Sequence, residues 1–373
     1  MSLKAEFYKF VNNEFDNTIA GIAPCDDFSE LELSGLKSLI SYFSKLTTLP
    51  DDMKVPKQPR ELLGDMKSII VVASSNYMER PKGFDFCRSE LLGTASPIHV
   101  TPDLMLKAKE RSMKICTYFS DRGLRCKPVA ASLIFPLKIM AVRAGIGYYG
   151  KNSMVINPGF GSWLVFSVFF TEADLETDLP LDKSCNDCDR CIRACPSGAL
   201  SSPYSCDESK CINFHLPHNK QDVPREIRLQ CRNFIGSACS VCRDVCPENN
   251  KLLPVPGLMA EPDLLHPKLL EIIELDDVSW KKGYARNLTG MTMRSKKYLQ
   301  RNAAIALGNF KDERAVEKLS KVLIDGADEL RGYAAWALGR IETNEAVSLL
   351  EQAFEKEADP DIKVEISLAL KMR

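Results

Sequence analysis

The sequence predicts a multidomain chain: an α/β domain, then a compact cysteine-rich domain, then a C-terminal α-solenoid. Three observations carry that prediction. A continuous β-branched run, Ser68-Ile-Ile-Val-Val-Ala73, is followed by a long helical pattern opening at Thr101-Pro102-Asp103, and strand followed by helix is the mark of an α/β layer. Cysteines crowd into two short stretches, one from Cys185 to Cys195 and one from Cys239 to Cys246. Near the end, Ala303-Ala-Ile-Ala-Leu-Gly308 recurs as Ala334-Ala-Trp-Ala-Leu-Gly339 at a period of 31 residues. The expected divisions are residues 1–180, 181–250, a linker over 251–298 that carries a basic segment, and repeats over 299–373.

Bulk composition bounds the function without choosing it. The chain has 373 residues, 49 Lys and Arg against 50 Asp and Glu, and a hydrophobic share of 45%, which is ordinary for a soluble protein of several domains. A net charge of −1 excludes a global electrostatic attraction to nucleic acid, so any such argument has to be local. The first 17 residues lack the apolar core of a signal peptide. Runs such as Trp163-Leu-Val-Phe166 are far too short to span a bilayer. Of the 14 cysteines, Cys25, Cys87, Cys116, Cys126, Cys206 and Cys231 show no pairing pattern. Free thiols and metal thiolates suit a reducing compartment, so a cytoplasmic monomer with no membrane contact is expected.

In chain order, residues 1 to about 46 read as helical, with apolar positions at Leu31, Leu33, Leu36, Leu39 and Ile40. Leu49-Pro50-Asp51, Pro56 and Pro59 mark a loop before the buried strand at 68–73. Proline at a first helical position starts the next helix at Thr101-Pro102-Asp103. It should run to Gly123 with Leu104, Ala108, Met113, Ile115 and Phe119 inward, and an apolar stretch over 129–135 follows. The segment Arg143-Ala-Gly-Ile-Gly147-Tyr-Tyr-Gly150-Lys-Asn152 nearly fits two nucleotide-binding motifs. Both fail on context, because the run ends a helix and precedes a strand, and Asn152 stands where a magnesium-binding hydroxyl belongs. A helix C-cap at Gly145 with a glycine-rich turn is the plain reading. Backbone close to some other large cofactor uses the same glycines. Pro158-Gly-Phe-Gly161 then turns a hairpin into a strand over 162–171.

The cysteines carry the strongest chemistry. Cys185-Asn-Asp-Cys188-Asp-Arg-Cys191-Ile-Arg-Ala-Cys195-Pro196 follows C-x2-C-x2-C-x3-C-P, the run with which bacterial two-cluster ferredoxins hold a pair of [4Fe-4S] cubes. Three thiolates, each spaced by two residues, wrap one face of a cube; the fourth, offset by three residues and a proline, turns to the other cluster. Cys239, Cys242 and Cys246-Pro247 repeat the run without its first cysteine, and Cys211 is the natural replacement. The ferredoxin rule then assigns Cys185, Cys188, Cys191 and Cys246 to one cluster and Cys195, Cys211, Cys239 and Cys242 to the other. Structural zinc closes on two C-x2-C pairs and has no use for the x3-C-P tails. The middle of the chain is therefore expected to be a ferredoxin-like two-cluster domain.

Between Val278 and Lys311 lie many basic residues and no acidic one, among them Lys281, Lys282, Arg294, Lys296, Lys297 and Arg301. Phosphate contact is the strong use of such a patch, and a solvated basic face is the plain one. The repeats that follow, echoed once more at Ile366-Ser-Leu-Ala-Leu370, alternate with amphipathic helices over 315–324 and 346–354. Helix pairs at this period form a HEAT-like solenoid.

With cysteines, glycine turn and solenoid in that order, the chain resembles the epoxyqueuosine reductase family, cobalamin-dependent iron-sulfur enzymes of tRNA modification. The resemblance rests on Arg143-Ala-Gly-Ile-Gly, Gly150-Lys-Asn, Gly161-Ser162, the cysteine set, Gln300-Arg-Asn-Ala and the stretch from Arg331 to Gly339. It covers roughly residues 128 to 373, while the first 125 match only at Lys67-Ser68-Ile69. It implies two clusters passing electrons to a base-off cobalamin, which in its cob(I) state drives reduction of an epoxide to an alkene in the tRNA wobble nucleoside. It also implies that Ala131, Gly147, Lys151, Asn152, Val155, Cys239 and Ser240 line the corrinoid, and that tRNA and an electron donor such as flavodoxin or ferredoxin are partners. In that family an aspartate opposite the cobalt protonates the leaving oxygen. Counting back from the shared Arg143 run, its position is Ala131, and no acidic residue occurs between Gly123 and Glu172. Alanine has no proton to give, which leaves Tyr148, Tyr149, Lys151 or water. The expectation is an oxidoreductase of this type, with Ala131 pointing to a different substrate. The alternative is a two-cluster electron-transfer protein that docks a redox partner through its solenoid; a nucleic-acid-binding module with structural clusters stands third.

Overall fold

The computed structural model describes residues 1–46, 56–78, 83–101, 104–129 and 135–372. The loop at Leu49-Pro50-Asp51, the helix start at Pro102-Asp103 and Ala131 lie outside the described residues. The chain divides into two compact units, each built from non-contiguous segments. Unit 1 comprises Met1–Glu79, Asp103–Ser209 and Ser240–Leu258, and unit 2 comprises Arg80–Pro102, Lys210–Cys239 and Met259–Arg373.

Unit 1 is a mixed α and β layer around an antiparallel sheet. Its strands are β1 (Thr18–Ala23), β2 (Ser68–Ser75), β3 (Cys126–Pro128) and, after the small β4–β5 hairpin (Tyr148–Tyr149 and Val155–Ile156), β6 (Leu164–Thr171). The large sheet runs β1-β2-β6-β3. β2 is apolar from Ile69 to Ala73 because both faces of the sheet are covered there. Ile69, Val71 and Ala73 join one core with Ile139 and Met140 of the helix Leu137–Arg143. Ile70 and Val72 join another with Phe7, Val11, Ile115 and Phe119. The continuous helix expected at the start is interrupted: helices Leu3–Glu14 and Glu30–Leu46 flank β1. Thr18-Ile-Ala-Gly-Ile-Ala is short and small-sided, so its periodicity is faint, and tertiary pairing with β2 decides the conformation. Leu31, expected inward, is 84% exposed, and Met113 is 60% exposed.

Unit 2 is helical. Its repeats are the helices Lys296–Phe310, Val316–Asp325, Asp328–Ile341, Asn344–Lys356 and Pro360–Leu370. Successive inner helices touch through the glycines of the repeat. A Cβ on Gly308 would lie 2.7 Å from Trp336 Cζ3 and 2.9 Å from Ala337 Cα, and one on Gly339 would lie 2.7 Å from the Ala369 carbonyl oxygen. The segment expected as a linker carries four short helices, and Leu269, Ile272, Trp280 and Met293 from it are buried in the same core as the repeats. Its prolines read as linker punctuation, yet Pro262 opens a helix. Among the described residues no helix is long and apolar enough to cross a membrane.

The glycine spacing gives a sharp pair of substitutions. Gly308→Ala should cost about 1–3 kcal/mol, because the methyl group meets backbone and indole that cannot retreat. Gly332→Ala, whose Cβ would meet Glu365 Cγ at an ordinary 3.5 Å, should add roughly 0.5–1 kcal/mol by removing helical glycine. Urea unfolding of the two variants checks both signs.

Candidate redox site and its surroundings

All 14 cysteines are free of disulfides. Cys185, Cys188, Cys191, Cys195, Cys242 and Cys246 belong to unit 1, and Cys211 and Cys239 to unit 2. Short helices present them: Arg190–Ala194 carries Cys191, Val241–Asp244 carries Cys242, and Cys211 caps Ile212–His218. Burial pushes the Cys191 thiol up, and so do Cys185 and Cys188 beside it. Burial likewise raises Cys246, with Cys185 and Cys191 as its thiol neighbours. Four thiols from two distant stretches thus feel one another. Cys246 is buried with Tyr148 and Ile156, and Cys185 packs against the same group.

The glycine turn belongs to these cysteines. A Cβ on Gly145 (φ +66°) would sit 2.5 Å from the Leu179 carbonyl oxygen, and one on Gly147 would sit 2.5 Å from that of Ile156. The close approach these glycines allow is to the protein's own chain. Past the turn, the Lys151 backbone N–H donates to Cys185 Sγ at 3.4 Å and Lys151 Nζ donates to the Asn186 carbonyl at 2.5 Å. The Asn152 side-chain amide donates to the Cys242 carbonyl at 3.3 Å. Val155 is buried in the sheet core. Ser240 Oγ donates to Asp244 at 2.7 Å, and the Cys239 N–H donates to Asn213 Oδ1 at 3.0 Å. Of the expected substitute acids, Tyr148 faces the cysteines, its phenol raised by burial, Glu248, Cys185 and Cys246. Burial, with Glu32 adding to it, pushes Tyr149 up to about 12.

A recess in unit 1 was not legible as a motif. Lys138 Nζ donates to the Ser153 carbonyl at 3.0 Å and meets Met154 Sδ at 4.0 Å. Arg243 reaches the same sulfur at 3.8 Å and lies 4.8 Å over the Trp163 ring. Solvent reaches Lys138, yet burial, helped by Arg243, pulls its ammonium below the usual lysine range. Ser153 Oγ, Trp163 Nε1 and Asn76 Oδ1 are buried there without a hydrogen-bond partner, and the Asn76 N–H donates to the Trp163 carbonyl at 2.8 Å. Unpaired polar atoms of this kind can take up a ligand or water, and three of the eight among the described residues lie in this part of unit 1.

The basic segment divides in two. Lys281, Lys282, Arg286 and Arg294 are exposed. Lys296 pairs with Asp277 at 2.9 Å and Lys297 with Glu329 at 2.8 Å. Arg301, expected at nucleic acid, is 4% exposed and donates to the carbonyls of His215, Leu216, Asn219 and Gln221. Gln300 and Asn302 do the same for Ile273, Leu275, Leu216 and Ile235. The Gln300-Arg-Asn motif is therefore a plug for backbone carbonyls that loops leave open, and Arg301 is withdrawn from the nucleic-acid set. Lys220, absent from that set, donates to the Pro217, Thr292 and Met293 carbonyls and lies 4.3 Å over the Tyr298 ring. Burial, then Arg301, Arg294 and Lys297, bring its pKa down to about 8.

Lys220 carries a pH signature. Its folded pKa lies below its unfolded value of 10.5, so above about pH 8 the unfolded chain binds more protons and folding stability rises with pH. Between about pH 8 and 10.5 the wild type should therefore gain stability relative to Lys220→Met. Denaturant midpoints across that window measure the difference, and parallel curves would contradict the placement.

Residues 184–249 match the 4Fe-4S double cluster binding domain and residues 288–371 match HEAT repeats, so the repeat unit begins ahead of the expected boundary. Fold and site together define an iron-sulfur redox protein built with a helical-repeat unit. Its relatives are consistent. An epoxyqueuosine reductase of Bacillus cereus is 32% identical over 86% of this chain and 85% of its own, and that of Bacillus subtilis is 34% identical over 86% and 83%. A solved epoxyqueuosine reductase bound to an epoxyqueuosine-modified tRNA-Tyr stem loop superposes with a TM-score of 0.87 at 28% identity, over 99% of this chain and 98% of that one. The Bacillus subtilis enzyme, solved with an aspartate catalytic loop swung out of its active site, gives 0.86 at 27% identity over the same shares. The chain belongs to the epoxyqueuosine reductase family.

Proposed function

We propose that this chain reduces the epoxide of epoxyqueuosine in tRNA, with electrons delivered through two [4Fe-4S] clusters. The observation that carries the reading is kinship along most of the chain together with the whole cysteine set. Cys185, Cys188, Cys191 and Cys246 hold one cluster, and Cys195, Cys211, Cys239 and Cys242 hold the other. The backbone N–H of Lys151 at Cys185 Sγ stabilises a thiolate ligand, one of the contacts by which a protein tunes cluster potential.

Cobalamin fits the recess by the chemistry of its donors. Ser153 Oγ, Trp163 Nε1 and Asn76 Oδ1 stand unsatisfied, and a corrinoid rimmed with amide side chains supplies partners of both kinds. When bound, it supplies a low-potential cobalt as the site of epoxide reduction. Ala131 stands, by count from Arg143, where the family places its aspartate. The leaving oxygen is then protonated by water, which reaches the recess at Lys138. Exposed Lys281, Lys282, Arg286 and Arg294 meet tRNA phosphates.

Anaerobic incubation with cobalamin, a low-potential reductant and epoxyqueuosine tRNA, read by nucleoside mass spectrometry, tests the reading. Wild type should form queuosine slowly, and Ala131→Asp should raise the rate, up to the roughly 10²–10⁴-fold that a positioned acid contributes. No product from either protein would sink the proposed substrate. Equal, fast turnover by both would show that residue 131 is not the acid position.

The tRNA surface has its own test. Alanine at Lys281, Lys282 and Arg294 together should weaken tRNA binding and flatten its salt slope by roughly 0.9 per lost phosphate contact. Arg301→Ala should instead cost on the order of 3 kcal/mol of stability, since it strips charged donors from buried carbonyls. Filter binding against salt, with melting curves of the same proteins, separates the two outcomes.

A further inference from the structure

The two cations at Met154 have carboxylates nearby, Glu208 for Lys138 and Asp244 for Arg243, without a close ion pair to either among the described residues. Lys138 and Arg243 converge on one thioether from different elements, at 4.0 and 3.8 Å, and neither forms an ion pair among the described residues. The charged or titratable groups facing Lys138 are Arg243, Cys206, Cys242 and Glu208; those facing Arg243 are Cys242 and Asp244. Asp244 already accepts a hydrogen bond from Ser240. Like charges that meet at one side chain repel each other, an arrangement that an anionic neighbour stabilises.

The geometry says where that neighbour is. Arg243 follows Cys242 directly in the chain. Asn152, which donates to the Cys242 carbonyl, adjoins the Ser153 carbonyl that receives Lys138. Arg243 thus adjoins Cys242 in the chain, and Lys138 holds the turn whose Asn152 is fastened to the Cys242 carbonyl. A cube held by four thiolates carries net negative charge, which grows by one on reduction, and a nearby positive charge favours the reduced form.

We infer that Lys138 and Arg243 are positioning residues that raise the reduction potential of the cluster bound by Cys242, making it the electron-holding cluster beside the recess. The inference rests on the proposed ligand assignment. With both clusters bound, the reduced partner cluster would be oxidised by one electron and the Cys242 cluster would take that electron, with no proton taken up at Lys138.

EPR-monitored redox titration of the anaerobic protein with both clusters loaded tests it. Lys138→Gln and Lys138→Met should each move one of the two midpoint potentials to a more negative value and leave the other in place. Lys138→Arg should restore the wild-type value, and the iron content of all four proteins should agree. Two clusters whose potentials stay put, or shift together, in the Gln and Met variants overturn this inference alone. Wild-type protein that takes up a single cluster overturns the ligand assignment and the inference with it.

Discussion

The turn at residues 150–153 is the constraint on which the rest of unit 1 depends. Its Lys151 N–H meets Cys185 Sγ and its Asn152 amide meets the Cys242 carbonyl, so one turn fastens both cysteine stretches. Burial, and after it the neighbouring thiols, push Cys191 and Cys246 up, and a rigid frame holds such groups in register. The frame is continuous with the sheet. Asn249, just past the second stretch, takes the Ser162 N–H on Oδ1 and donates to Ser162 Oγ and the Arg243 carbonyl. Ser162 leads into β6, the strand at the centre of the sheet beside β2. A hydrophobic layer, a hairpin and a polar asparagine together fix where the redox chemistry sits.

What could be read from the sequence follows from how local each signal is. The cysteine spacing and the repeat are legible because each is written in consecutive residues: ligands must be a few residues apart, and helix pairs must recur to bury a shared face. β1 was not legible, since Thr18-Ile-Ala-Gly-Ile-Ala is stabilised by register with Ile69 to Ser74 and not by its own pattern. The glycines at 145 and 147 were visible, but the partners that require them, Leu179 and Ile156, are not neighbours of a motif. Charge misled in the same way. Arg301 belongs by composition to a basic run and by structure to a buried set of carbonyls. The recess, assembled from Asn76, Lys138, Ser153, Trp163 and Arg243, leaves no trace in any one stretch.

Kinship with epoxyqueuosine reductases and the alanine at position 131 pull in different directions, and electrostatics reconciles them. Under the proposed function, the cysteine frame, the recess and the repeat unit would serve electron delivery and substrate binding, which take many residues to assemble. The acid is a single side chain, and water can stand in for it at reduced speed.

In the proposed ligand assignment the two cysteine stretches cross, with Cys246 completing the set of Cys185, Cys188 and Cys191. Native mass spectrometry of anaerobically reconstituted double variants tests it most directly. Cys188→Ala with Cys246→Ala removes two ligands from one cluster, so about four irons should remain bound; Cys188→Ala with Cys242→Ala weakens both, so no intact cluster should remain. No intact cluster with either pair, the outcome if each stretch held its own cluster, would contradict the crossing.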